Sequence, residues 1–171
     1  MDLYTTFTAK HSKAAITRVV DYLITHPDRT PELLAIFLGD DPLLVQRSAW
    51  AVGDLGRSRP ELLIPYHADL LAACDQAVHP AVLRNVIRYF AEAPELPEPI
   101  HGELADLCFT QLADPKAPPA IRVFSMSTLL RLTEIYPDLG NELRALIEEE
   151  MPRASAGFRS RGRKVLRALG G

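Results

Sequence analysis

Five histidines and two cysteines are the side chains of this 171-residue sequence best suited to metal or nucleophilic chemistry. His11, His26, His67, His79 and His101 have no His or Cys at i+3 or i+4, the spacing that sets two zinc ligands on one helix face. Four of them fall at helix ends or turns, where an imidazole serves as a cap or a solvent group. Cys74 and Cys108 are 34 residues apart on apolar helix faces, and each reads as a small buried hydrophobe. Two cysteines make no disulfide framework, so the expected setting is reducing and cytoplasmic. There is no Gly-rich phosphate loop and no Gly-x-Ser-x-Gly elbow. The expectation is a chain with no metal, no cofactor and no catalytic residue set.

Charge is the other chemical resource. The chain carries 19 Lys/Arg and 22 Asp/Glu, for a net −3. Six of the cations (Arg153, Arg159, Arg161, Arg163, Lys164 and Arg167) and no acid fall between Arg153 and Gly171. That segment is therefore +6, and the first 152 residues, with 13 basic and 22 acidic side chains, are −9. A basic tail on an acidic body either folds back on the body or meets an anionic partner. Arg159, Arg161, Arg163 and Lys164 are its candidate contacts. Phosphate binding needs clustered cations, so the acidic body disfavours nucleic acid. The longest apolar run, Leu33 to Leu38, is far below the roughly 20 residues that cross a bilayer, and no signal peptide is visible at the start. A second protein is the expected partner.

These groups must be positioned by helices. Ile16, Val19, Val20 and Leu23 follow the i, i+3, i+4, i+7 pattern of an amphipathic helix. The 14 prolines mark the borders of this helix and the rest. Thr30-Pro31 and Asp41-Pro42 read as a capping residue followed by proline at the first helical position, where a missing N–H costs nothing. His79-Pro80 opens another helix, and the prolines between Ala93 and Pro99 and between Pro115 and Pro119 are breaks. Every proline lies between helices or in a first turn, avoiding the roughly 3 kcal/mol cost of an interior site. About nine helices result, with no alternating run that would make a strand. Met1 to Thr8 and the Gly-Gly terminus read as loose or capping segments.

The helices repeat. Val45, Leu83, Ile121 and Phe158 are separated by 38, 38 and 37 residues, and each leads a helix with matching apolar offsets. A basic residue follows in three sets, as Arg84, Arg122 and Arg159, with Gln46 in the other. The segment from Asp41 through Leu55 to Gly56 resembles the second helix of the HEAT and armadillo-like repeat family, which often opens with Asp-Pro, a hydrophobe and Arg. Leu83-Arg84 and Ile121-Arg122 are looser matches. The resemblance covers nearly all of the chain from about residue 10. It implies an all-α solenoid, a HEAT-like superhelix of four to five antiparallel hairpins that stack because one hairpin cannot bury its apolar face alone. It is expected as a single domain over residues 1–171, with residues 1–9 as an N-terminal cap or loose segment and 153–171 as a basic capping helix.

Trp50, the only tryptophan, lies one residue from the apolar face of its helix. It is either half-buried against a neighbouring hairpin or an anchor for a partner, since Trp and Arg dominate binding hot spots. In HEAT-like proteins the second helix of each pair lines the concave surface. The resemblance thus implies a binding stripe of Arg47, Trp50, Asp54, Asn85, Arg88 and Tyr89, on a non-catalytic protein-binding scaffold. A second implication is an enzyme. HEAT-like alkylpurine DNA glycosylases place a catalytic Asp four residues after a Trp, as Asp54 follows Trp50, but the further cleft aromatics of that group have no clear equivalents here.

Overall fold

The computed structural model describes residues 1–9, 12–75 and 77–170. The described elements are ten α-helices and five short 3-10 turns: α1 (Leu3–Thr8), α2 (Lys13–Thr25), α3 (Thr30–Phe37), α4 (Pro42–Ser58), α5 (His67–Asp75), α6 (Pro80–Glu92), α7 (His101–Ala113), α8 (Pro119–Thr133), α9 (Leu139–Glu150) and α10 (Ala156–Gly170). The sequence predicts a helix from Pro65 or His67 to Gln76, and Gln76, together with His11 and the terminal Gly171, falls outside the described residues. No strand occurs among the described residues, and the fold is all-α, as the periodicity requires.

The caps explain most of the helix starts. Asp41 is extended and accepts hydrogen bonds from the Leu43 and Leu44 amides at 2.9 and 3.2 Å, with Pro42 at the first position of α4. Ser12 caps α2 through the Ala15 amide. Thr30 departs from the expectation that it caps α3. Pro27–Arg29 form a 3-10 turn that runs straight into α3, so Thr30 already has helical dihedrals. A capping side chain needs an extended backbone. The Thr30 hydroxyl is instead buried without a hydrogen-bond partner. The opening residues also differ from a loose segment. Asp2 caps α1 through the Thr5 amide, and Leu3 and Phe7, one turn apart, are buried.

Two compact units divide the chain, Met1–Tyr89 and Phe90–Gly171. In the first, α4 is central and packs against α1, α2 and α3. Its core residues Val45, Ser48, Ala49, Val52 and Leu55 are the first copy of the repeat pattern. Gly53 and Gly56 set how closely α4 meets α6. A Cβ on Gly53 would lie 2.8 Å from the Asn85 side-chain oxygen, and one on Gly56 would lie 2.6 Å from the Tyr89 ring. In the second unit α8 packs against α7, α9 and α10, around Ile121, Ser125, Thr128 and Leu129. Arg131 of α8 donates to the Phe90 carbonyl at 2.6 Å, filling an acceptor left open near the end of α6.

The glycine contact yields a test. Gly56→Ala gains about 1 kcal/mol of helix propensity, but overpacking of a rigid ring costs about 1–3 kcal/mol. With Tyr89 and Leu63 both inside 3.2 Å of the new methyl, urea unfolding of the alanine variant should show a net loss of stability. A gain would mean that the two helices separate freely.

Candidate functional site

The six residues of the expected stripe all fall within the first unit, but they do not share one environment. Trp50 is 39% exposed on α4. Asp54, one turn on, is partly exposed, and its carboxylate pairs with Arg57 on the same helix. Arg88 is partly exposed on α6. Asn85 and Tyr89 are buried, at 8% and 4% exposure. They lie on the side of α6 that meets Gly53 and Gly56, and the Asn85 amide donates to the Ala81 carbonyl at 2.8 Å. Arg47 turns to the other side of α4. One guanidinium nitrogen donates to the carbonyls of Phe7, Thr8 and Ala9 at 2.8, 3.1 and 2.8 Å. It satisfies the open acceptors at the end of α1, where a cation also suits the helix dipole.

Three of the six, Arg47, Asn85 and Tyr89, are therefore used inside the unit, whereas Trp50, Asp54 and Arg88 reach solvent. Around the latter three lie Gln46 and Arg57 of α4 and Arg84 of α6, all exposed. The close approach at Gly53 brings the two exposed helix faces side by side. The resulting surface presents one indole, one carboxylate already engaged by Arg57, and a pair of arginines one helical turn apart on α6.

Two histidines expected at solvent-facing ends are in fact buried, and the sequence reading missed them. His67 begins α5, and its Nε2 lies 2.8 Å from the Tyr89 hydroxyl, which donates to the Pro60 carbonyl at 3.1 Å. With the hydroxyl proton directed at Pro60, Nε2–H is the donor to Tyr89. His101 begins α7 in the same way, 3.0 Å from the Tyr136 hydroxyl and 2.5 Å from the Leu96 carbonyl. The only signal was a His at a helix start with a Tyr elsewhere in the sequence, and 22 or 35 intervening residues carry no local pattern. His79 behaves as expected, accepting from the Ala81 amide.

Burial holds the His67 imidazole below the ordinary histidine range and pushes the Tyr89 phenol up, with the Glu61 charge adding to the latter. The unfolded chain protonates this imidazole near pH 6.5, whereas the folded chain does so only at lower pH. Protons therefore favour the unfolded state, and the His67 contribution, fully present above about pH 6.5, is lost as pH falls below it. Denaturant midpoints measured from pH 7.5 to pH 5 should drop less for His67→Gln than for the parent chain.

The basic residues of the C-terminal segment sit on α10. Arg159, Arg161, Arg163 and Lys164 are exposed, while Phe158, Gly162 and Val165 form the buried face. Cys74 and Cys108 are both buried thiols, as read from the sequence. Burial pushes the Cys108 thiol up to about 12, so it is an inert core group at neutral pH. Among the described residues no three metal-ligating side chains come together. No helix among them is long and apolar enough to cross a membrane.

An all-α helical-repeat protein is the class that this fold defines. A family model for the HEAT repeat domain matches residues 3–169, and the chain belongs to that family. HEAT repeats commonly mediate protein interactions. Comparison with curated proteins and with solved structures gives no match.

Proposed function

We propose that this chain is a non-catalytic protein-binding module of the cytoplasm, and that its contact surface is the exposed side of α4 and α6 around Trp50, Asp54 and Arg88. The observation that carries this reading is a single tryptophan left 39% exposed on a helix whose other large apolar side chains, apart from Leu43 at its start, are buried. A Trp flanked by arginines is the composition of a binding hot spot. Arg84 and Arg88 give the surface a positive flank, and Asp54 with Arg57 gives it a fixed polar edge. No bond-making step is assigned to any residue. Quantitative capture from lysate of the source cell, with the parent chain and Trp50→Ala side by side, tests the proposal. A protein retained by the parent and lost from the alanine variant supports it, and equal recovery on both contradicts it.

A further inference from the structure

We propose that the solvent face of α10 is a second docking strip, built to hold a short acidic segment of a partner protein. The basic tail had two possible fates in the sequence, folding back on the acidic body or meeting an anionic partner. In the fold, α10 does return to its own unit, but through apolar contact. Phe158 and Val165 are buried, and Gly162 lies against Ile147 and Met151. Its charge is not spent in doing so. Arg159, Arg161, Arg163, Lys164 and Arg167 are all exposed, and among the described residues none of the five forms an ion pair. Glu150, at the end of α9, is already engaged by Arg122 and Arg153. Arg159 and Arg167 use a guanidinium nitrogen on carbonyls of their own segment, which fixes their stems and leaves their charge in place.

The geometry matches an extended carboxylate-bearing peptide. Arg159, Arg163 and Arg167 succeed one another at i, i+4 and i+8, a ridge with steps of about 6 Å, and Lys164 lies beside it, with Arg161 on the far flank of the helix. From Arg159 to Arg167 the strip is about 12 Å long and spans roughly four residues of extended chain. Arginine forks grip carboxylates in bidentate pairs. A bilayer fits less well, because the apolar face of α10 is consumed in the core and an interfacial helix needs that face for lipid. Nucleic acid fits less well too. Phe158, the aromatic residue of α10, is buried, so no stacking platform is offered. Residues 90–152 of the same unit carry four basic and twelve acidic side chains, which repel a polyanion extending beyond the strip.

The test is a fluorescence-anisotropy titration of the full chain with a labelled eight-residue peptide of alternating Asp and Glu, at about 50 mM salt, where exposed charges act over roughly a Debye length. Arg159→Glu/Arg163→Glu/Arg167→Glu should weaken binding at least about tenfold, through the loss of steering and of fork contacts. Lys13→Glu/Arg18→Glu/Lys116→Glu changes the net charge equally at exposed sites elsewhere and should leave binding within about twofold of the parent. The glutamine triple at 159, 163 and 167 should fall between them, and circular dichroism verifies the helix content of each variant. Equal loss in both charge-reversal triples, or no loss in the α10 triple, would overturn the proposal. So would tighter α10-dependent binding of a 20-base-pair duplex or of anionic vesicles than of the peptide.

Discussion

Arg122→Met should cost about 3–5 kcal/mol of stability, because it strands a nearly buried carboxylate. Arg122 lies on α8, and its side chain is 8% exposed. Its Nε and one Nη donate to the Leu112 carbonyl in the last turn of α7, at 3.0 and 2.8 Å. The same Nη donates to Glu150 at the end of α9, at 2.8 Å. The guanidinium carbon lies 4.6 Å from the centroid of the Phe158 ring on α10. One side chain thus joins α8 to all three of the helices packed around it. Methionine keeps the stem volume but leaves the Leu112 carbonyl without these two donors. It also leaves Glu150, 12% exposed, with only Arg153 at 3.4 Å. Arg122→Lys keeps the charge and loses the fork, so it should be intermediate. Thermal unfolding should show Arg122→Met melting about 10 °C or more below the parent. A double-mutant cycle with Glu150→Gln should return a coupling of about 1–3 kcal/mol. A methionine variant as stable as the parent would mean that the cluster is ornamental.

Trp50→Ala should have the second large effect, on binding more than on folding. Removing an aromatic hot spot costs at least about 2 kcal/mol of affinity, which is roughly thirtyfold in Kd. Because the indole is 39% exposed, the loss of folding stability should stay near or below about 1 kcal/mol, well under the roughly 3–5 kcal/mol of a fully buried Trp. Arg88→Ala should weaken binding less, with a marked salt dependence, as expected of a charge at the rim of an interface. Asp54→Asn should leave binding nearly intact, since the carboxylate is held by Arg57. Titration calorimetry with the captured partner separates the three. If Trp50→Ala binds as the parent does, the indole is merely a surface-exposed part of the packing.

The helices were legible because their signals are local. Proline at a first turn, Asp41 as a cap and the 38-residue step of Val45, Leu83 and Ile121 all lie within a few residues of the element they define. The six-residue α1 was too short to display a period, although Leu3 and Phe7 carry one turn of it. The candidate site was legible only in part, and the reason is that arginines and polar residues at equivalent repeat positions do different work. Arg84, Arg122 and Arg159 share a place in the pattern. Arg122 is buried in an ion pair, Arg84 is exposed, and exposed Arg159 donates to the nearby Ala154 carbonyl. What separates them is whether an open helix end and an acid lie opposite, which depends on the neighbouring hairpin. Arg47 was drawn inward by the end of α1 in the same way, and Tyr89 by His67 and Pro60. A repeat period predicts which face an apolar residue takes. It does not predict which arginine the packing will use.

The measurement that bears most directly on the binding-module account is site-specific photo-crosslinking in lysate of the source cell. A photoreactive residue at Gln46, exposed on α4 one turn before Trp50, should give a discrete adduct with one protein, and Trp50→Ala should abolish it. The same residue at Asp21, exposed on α2, should give none. Adducts of equal yield from both positions, or a Gln46 adduct indifferent to Trp50→Ala, would contradict the assignment of the α4 and α6 face as the partner site.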